Sequence, residues 1–320
     1  MVKIVIRKWE DMDIKQLAEM TQETRRYEGL GDYSVDQVEE YLRNMNERFP
    51  IESALVAIED DQILGWMGIE RVTEQIGEIG RWHPFVGQRP ERNEVAQQLI
   101  STVNSYAREN GIKRMEIGFG EVSETSLDTY KQRQVWYESE DWNKLEDDYF
   151  MVTNPMEYHQ VQEPNIPDGF KLSPLSEVDK DKLFLCYHEA FMTGQALWIY
   201  DMTEEQRRQE FDKNFDASRP INEKASIVVE TDEEVAGFIL VLSRSEEEEH
   251  VESIGVHPSF RGRGLAKMML WKVMEILRQT KSENLTLGVD SVNSPAVNLY
   301  ERLGFETVSR TVRYSWKDDE

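Results

Sequence analysis

Residues 251–266 read VESIGVHPSFRGRGLA: a strand, a short turn, a glycine-rich loop and the first turn of a helix. Val251, Ser253 and Gly255 alternate with Glu252, Ile254 and Val256, the period of two of an extended chain. His257-Pro258-Ser259 ends the strand, because proline lacks the N–H that a ladder needs. Past the loop, Leu265, Met268, Met269, Val273, Met274, Ile276 and Leu277 fall on one helical face. Glycines allow close approach of backbone N–H groups, and a helix N-terminus adds partial positive charge. Such a loop suits an anionic phosphate group. A bare G-x-G also serves as a plain strand-to-helix turn. The stretch fits neither G-x-G-x-x-G nor G-x-x-x-x-G-K-[ST], which removes support for dinucleotide and P-loop readings.

The stretch resembles the Arg/Gln-x-x-Gly-x-Gly/Ala signature of the GNAT superfamily of N-acetyltransferases, with Arg261, Gly264 and Ala266 in the three fixed places. A second element follows at the right distance. Residues 293–305, NSPAVNLYERLGF, resemble the family's Asn-x-x-Ala-x-x-x-Tyr-x-x-x-Gly-Phe helix.

Around these motifs lie 320 residues, a length that suggests about two domains. A hydrophobic fraction of 39% and an aromatic fraction of 10% supply real cores. The net charge of −25 argues against nucleic acid or an anionic membrane surface as partner. It is compatible with a cationic substrate, and equally with a role in solubility alone. The single cysteine, Cys186, excludes an intrachain disulfide and fits a reducing, cytoplasmic compartment. No apolar run is long enough for a membrane span, and the start, MVKIVIRK, reads as a first strand rather than a signal core.

Taken in order, residues 2–7 read as a strand, and 12–27 and 35–48 as helices, the second stopped by Pro50. Residues 54–58 and 63–70 form a hairpin about a turn at Asp60-Asp61-Gln62, and 77–83 a further strand. Residues 94–110 are a helix ended by Gly111, 115–118 a strand, 128–137 a helix and 149–152 a last strand. The second half repeats this order, with strands at 170–172, 226–230 and 235–242 and helices at 179–191 and 204–215. Leu55-Val56 matches Ile227-Val228, Gly65-Trp66 matches Gly237-Phe238, and His83-Pro84 matches His257-Pro258. A period near half the chain implies duplication of a whole domain. The expected division is 1–153, a proline-interrupted linker at 154–167, and 168–320.

The halves differ where chemistry would occur. After His83-Pro84 the first half runs FVGQRPERNE, with one glycine, a proline that removes a donor, and Glu91 and Glu94 to repel phosphate. Its later helix lacks the Asn-x-x-Ala and Gly-Phe features. The resemblance is strong from about residue 170 to 316 and only architectural over 1–152. It implies an α/β fold of two tandem GNAT-like domains, each a mixed, mostly antiparallel sheet flanked by helices. The first is degenerate, and the second binds acetyl-CoA as co-substrate.

The reaction so implied is direct transfer of acetyl from acetyl-CoA to a primary amine of a small molecule or basic peptide. Arg261, Gly262, Arg263, Gly264, Leu265 and Ala266 would hold the pyrophosphate without a metal, each charged hydrogen bond contributing about 1.5–3 kcal/mol. The resemblance places pantetheine beside the main chain of Ile254 and Val256, where two parallel strands splay apart. Their side chains read equally as core. Asn293 starts the following helix with Pro295 in first position, and its side chain is a further candidate contact for pantetheine.

Tyr300 shares a helical face with Ala296, Leu299 and Leu303, and is either a buried structural tyrosine or the acid that protonates the departing thiolate. Glu252 is either the base, acting directly or through water, or a surface carboxylate beyond the 246–249 glutamate run, itself read as a solvated loop. His250 and His257 are candidate proton relays, though His257 suits the turn. Trp198, Tyr200, Tyr314 and Trp316 are candidates for the acceptor site. Cys186 reads as core, and the scattered histidines give no paired metal-ligand spacing. The rival class is a CoA-binding sensor or partner-docking protein without turnover. The acceptor and the oligomeric state are left open.

Overall fold

The computed structural model describes residues 2–120, 127–157, 164–192, 202–280 and 282–318. In chain order its elements are β1 (Lys3–Arg7), α1 (Ile14–Tyr27), α2 (Val35–Arg48), β2 (Ser53–Glu59), β3 (Gln62–Arg71), β4 (Ile76–Glu78), β5 (Phe85–Val86), α3 (Arg92–Glu109), β6 (Arg114–Gly120), α4 (Leu127–Glu138), β7 (Asn143–Lys144) and β8 (Asp148–Thr153). There follow β9 (Lys171–Pro174), α5 (Lys180–Met192), α6 (Glu204–Asn214), β10 (Ile227–Glu230), β11 (Val235–Ser243), β12 (Glu248–Val256), α7 (Leu265–Thr280), β13 (Asn284–Asp290), α8 (Ser294–Arg302) and β14 (Glu306–Lys317).

Local sequence accounts for several boundaries. The second helix of each half opens with a capping box, Ser34 with Gln37 in α2 and Thr203 with Gln206 in α6. Both hairpins carry an irregularity at the same place. Ala57 faces Gly65 while Ile58 faces Ile63, and Val229 faces Gly237 while Glu230 faces Val235. The shared bulge extends the internal repeat from sequence into backbone geometry.

The chain divides into two compact units, Met1–Glu146 with Thr311–Glu320, and Asp147–Arg310. In the first, the sheet runs β1-β2-β3-β4-β6-β14, antiparallel except for β4 beside β6. In the second it runs β8-β13-β12-β11-β10-β9, antiparallel except for β12 beside β13. Both sheets are apolar on both faces. Leu55 and Ala57 of β2 join Val95, Leu99 and Val103 of α3, while Ala54 and Val56 join Leu17 of α1 and Leu42 of α2. In the second unit Ile227 and Val229 pack with Met269, Leu270 and Val273 of α7, and Val228 with Leu183 of α5 and Phe211 of α6.

Sequence placed residues 148–153 in the first half and 311–320 in the second, whereas the compact units hold each on the other side. Ladder pairing is the reason. β8 pairs antiparallel along β13, Leu285 opposite Thr153 to Asp290 opposite Asp148. Residues 311–317 of β14 pair along β6, and Val312, Tyr314 and Trp316 enter the same core as α3. Tyr314 and Trp316 are thus core residues of the first unit, and Tyr314 Oη donates to Glu138 Oε1 at 2.7 Å. This removes them as acceptor-site candidates. The strand expected at 77–83 is only Ile76–Glu78, because Gly80 at φ +50° turns the chain away.

Trp316→Ala deletes a buried ring and should cost about 3–5 kcal/mol of stability. Thermal unfolding will report the loss, and amide exchange should rise in β6. Unchanged exchange in β6 would contradict the assignment of residues 311–317 to the first unit.

Candidate active site

The second unit's central strand is irregular where the site forms. On β12, Ser253 faces Leu240 and Val251 faces Val241, so Glu252 is the extra residue of a bulge. On its other side β12 runs parallel to β13 only from Glu248 opposite Asn284 to Val251 opposite Leu287. Beyond that, β13 continues along β8 to Asp290. Among the described residues no strand pairs with residues 252–256 on the side away from β11. Backbone donors and acceptors there are open to an extended amide ligand. The side chains of Ile254 and Val256 pack against the core of α7, so only their main chain faces this opening.

The loop that follows is fixed by specific contacts. His257 Nδ1 accepts from Ser259 N at 3.3 Å, and Pro258 opens a single 3₁₀ turn, Pro258–Phe260. His257 thus serves the turn. Arg261 donates from Nε to the Val256 carbonyl at 3.2 Å and from Nη2 to the Ala190 carbonyl at 2.8 Å, tying the strand end to α5. Arg263 lies over the Phe170 and Phe260 rings, at 5.8 and 5.6 Å from their centroids. Gly262 and Gly264 sit at φ +76° and +79°, the left-handed region that favours glycine. Gly264 O accepts from Met268 N at 3.0 Å as α7 begins at Leu265, leaving the first N–H groups of the helix without partners inside it. No acidic residue lies in the first turn. The donor set therefore fits a phosphate: unsatisfied N–H groups, a helix N-terminus and no competing carboxylate in that turn.

Tyr300 is the buried residue of α8, 6% exposed, with its ring 5.7 Å from that of Phe305. Burial pushes its phenol up to about 12. Among the described residues its hydroxyl has no hydrogen-bond partner. Asn293 caps α8, its Oδ1 accepting from Ala296 N at 3.4 Å; the helix starts at Ser294, so Pro295 is in its second position rather than its first.

Glu252 is half-buried. Arg219 Nη2 donates to its Oε1 at 2.7 Å, and its Oε2 lies 4.0 Å from His250 Nε2. The His250 ring contacts Thr286 Oγ1 through Nδ1 at 2.8 Å, and burial lowers it to about 4. A group with that value stays neutral near pH 7, which argues against a proton relay at His250. The glutamate run is not all solvated loop. Glu248 and Glu249 belong to β12, and Glu249 is buried, accepting from Asn222 Nδ2 at 2.9 Å and Ser243 Oγ at 3.0 Å. Cys186 is core, and burial pushes its thiol up to about 12. Trp198 and Tyr200 lie outside the described residues.

Sequence reading missed Arg219, which holds Glu252, and the counterparts of the site in the first unit. Counting from His83-Pro84 and His257-Pro258, Glu78 stands where Glu252 does. Tyr137 stands where Tyr300 does. Trp142 N donates to Tyr137 O at 3.1 Å, as Phe305 N does to Tyr300 O at 3.0 Å. Asp141 holds φ +62° where Gly304 holds +82°. The expected difference between the loops is present as well. Gln88 N is bonded to Glu23 Oε1 at 2.9 Å, so a carboxylate of the chain already sits at the first unit's loop. Glu91 stands before α3, and Glu94 is in its first turn.

Residues 195–305 match the family model described as Acetyltransferase (GNAT) family. A mycothiol acetyltransferase of Propionibacterium freudenreichii subsp. shermanii is 28% identical over 166 residues, 50% of this chain and 51% of that protein, so the chain spans about half the length of this relative. The GCN5-related N-acetyltransferase from Sphaerobacter thermophilus superposes with a TM-score of 0.66 at 16% identity, covering 98% of this chain and 95% of that one. A tandem GNAT protein from the clavulanic acid biosynthesis pathway superposes at 0.60 with 13% identity, covering 99% and 98%. Both share the fold across the whole chain.

His250 gives a pH signature. Its folded value, about 4, lies below the ordinary 6.5, so between these values the unfolded chain binds a proton that the fold refuses. Stability should fall as pH drops through that window, by about 2 kcal/mol after allowance for solvent screening. Glu70 acts in the opposite sense. Burial, then the charge of Glu78, raises it from 4.5 to about 7, so its contribution is lost as pH rises toward 7. The difference between wild type and His250→Asn isolates the histidine. Identical pH slopes in urea unfolding would show that His250 is not the group responsible.

Proposed function

We propose, on the footing that the second half is a domain of the GNAT acetyltransferase family and the whole chain has the tandem GNAT fold, that this protein is an acetyl-CoA-dependent N-acetyltransferase acting on a primary amine of a small molecule or basic peptide. One observation carries the reading: the Gly262–Gly264 loop at the start of α7 adjoins β12, whose edge away from β11 is unpaired from Glu252 onward among the described residues. Backbone N–H groups from Gly262 to Ala266 would hold the pyrophosphate, and the β12 edge at Ile254 and Val256 would pair with the pantetheine amides. Arg261 and Arg263 then act mainly by holding the loop, the first through two carbonyls and the second through two rings. Asn293 fixes the start of α8 and so the position of Tyr300.

When bound, acetyl-CoA supplies an acyl group activated as a thioester. The chain has two remaining tasks: to take a proton from the acceptor ammonium and to stabilise the departing sulfur. An alkylamine has a pKa near 10, so a base is needed near pH 7. Glu252 is the candidate, oriented by Arg219 through one oxygen, with the other open toward His250; it acts directly or through a water. Tyr300 faces the second task. Held at about 12, its phenol remains protonated at any physiological pH. Full transfer to a thiolate of pKa near 8.5 runs uphill, so Tyr300 acts chiefly as a hydrogen-bond donor to the sulfur. Charge supports a cationic acceptor, since the chain carries −25 overall.

Thiol release from acetyl-CoA on addition of amines tests the activity directly. Binding without release under any amine would favour a CoA-responsive sensor. Tyr300→Phe keeps the ring and removes the hydroxyl. Turnover should fall about 10–100-fold, the low end of acid catalysis, with donor affinity unchanged. Near-normal turnover with saturating amine would end this assignment. Gly264→Glu puts bulk and negative charge at the loop and should weaken acetyl-CoA binding at least about tenfold. Unchanged affinity by calorimetry would take the loop out of the site.

A further inference from the structure

The first unit contains a cavity of about 350 Å³ whose lining includes Arg25, Arg81, His83, Phe85, Phe119 and Arg133. It lies where β4 leaves β6. The two strands pair in parallel only from Ile76 opposite Arg114 to Glu78 opposite Glu116, after which Gly80 turns away and β6 runs on to Gly120. Three arginines line it, in a chain of net charge −25. We propose that this cavity is a binding site for a small carboxylate with a flat apolar body, distinct in ligand from the second unit's site.

Several groups support an anion. Arg133 is 4% exposed, and its Nη2 pairs with the buried carboxylate of Glu28. Glu28 is also held by Arg92 at 2.6 Å, so two guanidinium groups share one carboxylate and a positive charge remains. Arg133 Nε is buried and has no hydrogen-bond partner among the described residues, and neither has His83 Nδ1. Buried donors left open in this way are costly unless a ligand or water completes them. His83 is kept neutral, by burial first and then by the charge of Arg133, so it adds a polar atom without adding charge. The acidic neighbours are Glu70 and Glu78, close to Gly80 and Arg81. Burial raises both, which weakens their opposition to an anion near neutral pH.

The walls select among anions. Phe85 and Phe119 offer apolar surface, and planar guanidinium forks match a carboxylate. Pyrophosphate is disfavoured on this unit, because Glu23 occupies the loop N–H of Gln88 and Glu91 and Glu94 stand at the start of α3. The proposal does not depend on catalysis in the second unit.

Benzoate titrated into the full chain by calorimetry is the probe, with benzamide as its neutral isostere. Saturable binding of benzoate alone is expected. Arg25→Gln and Arg81→Gln should each weaken it about tenfold. Both arginines are partly or fully exposed, so these variants should fold. Gly120→Leu tests the space without changing charge: a Cβ there meets nothing within 4 Å, yet the added side chain would occupy the cavity and abolish binding at unchanged melting temperature. Acetyl-CoA affinity, measured on the same preparations, should not move. The proposal is overturned by any of four results: no saturable benzoate binding, equal binding of benzamide, tighter binding of inorganic phosphate, or wild-type affinity in all three variants. Loss of benzoate binding in Gly264→Glu would place the anion in the second unit and overturn it as well.

Discussion

Four residue pairs, 248–251 against 284–287, join β12 to β13, and the separation of the strands beyond them opens the backbone edge on which the proposed donor site depends. Parallel strands stay together when both ladders are satisfied. Here β13 turns its remaining hydrogen bonds to β8, while β12 takes a bulge at Glu252 and stays with β11. Past Val251 each strand keeps one partner, and the edge of β12 that faced β13 has none among the described residues. Directly past that edge, two left-handed glycines deliver the chain into α7 with its first N–H groups unspent. The opening and the cradle are therefore adjacent products of one stretch of backbone. The apolar faces of α7 and α5 hold that stretch from both sides of the sheet.

The first unit runs the same construction with different chemistry. Its parallel pair, β4 with β6, is shorter still, at three residue pairs, and its bulge between β2 and β3 falls at the matching place. Tyr137 repeats the position and the helix-end geometry of Tyr300. What differs is charge. The loop N–H that would meet an anion is taken by Glu23, and arginines gather instead inside the opening. The two units share the backbone device, and a few side chains distinguish the openings.

Much of this was legible in the sequence because it is local. The glycine loop, the helix caps, the two hairpins and the order of elements follow from neighbouring residues; the resemblance of residues 293–305 to the family's helix singled out Tyr300, and a place on the central strand singled out Glu252. Partner choice between distant strands is not local. The pattern of residues 311–317 says that they form a strand, and says nothing of pairing with β6 rather than within their own half. Tyr137 was hidden for another reason. Asp141 takes the left-handed conformation that a glycine would have announced, so the motif was absent while its geometry was present. Arg219 sits 33 residues before Glu252, and no spacing rule connects them.

Amide hydrogen exchange of the full chain with and without CoA tests the central claim most directly, because it reads both loops in one experiment. CoA should protect the amides of residues 254–268, at the β12 edge and the start of α7, and leave residues 85–95 of the first unit unchanged. Protection of residues 85–95, or none at 254–268, would contradict the account.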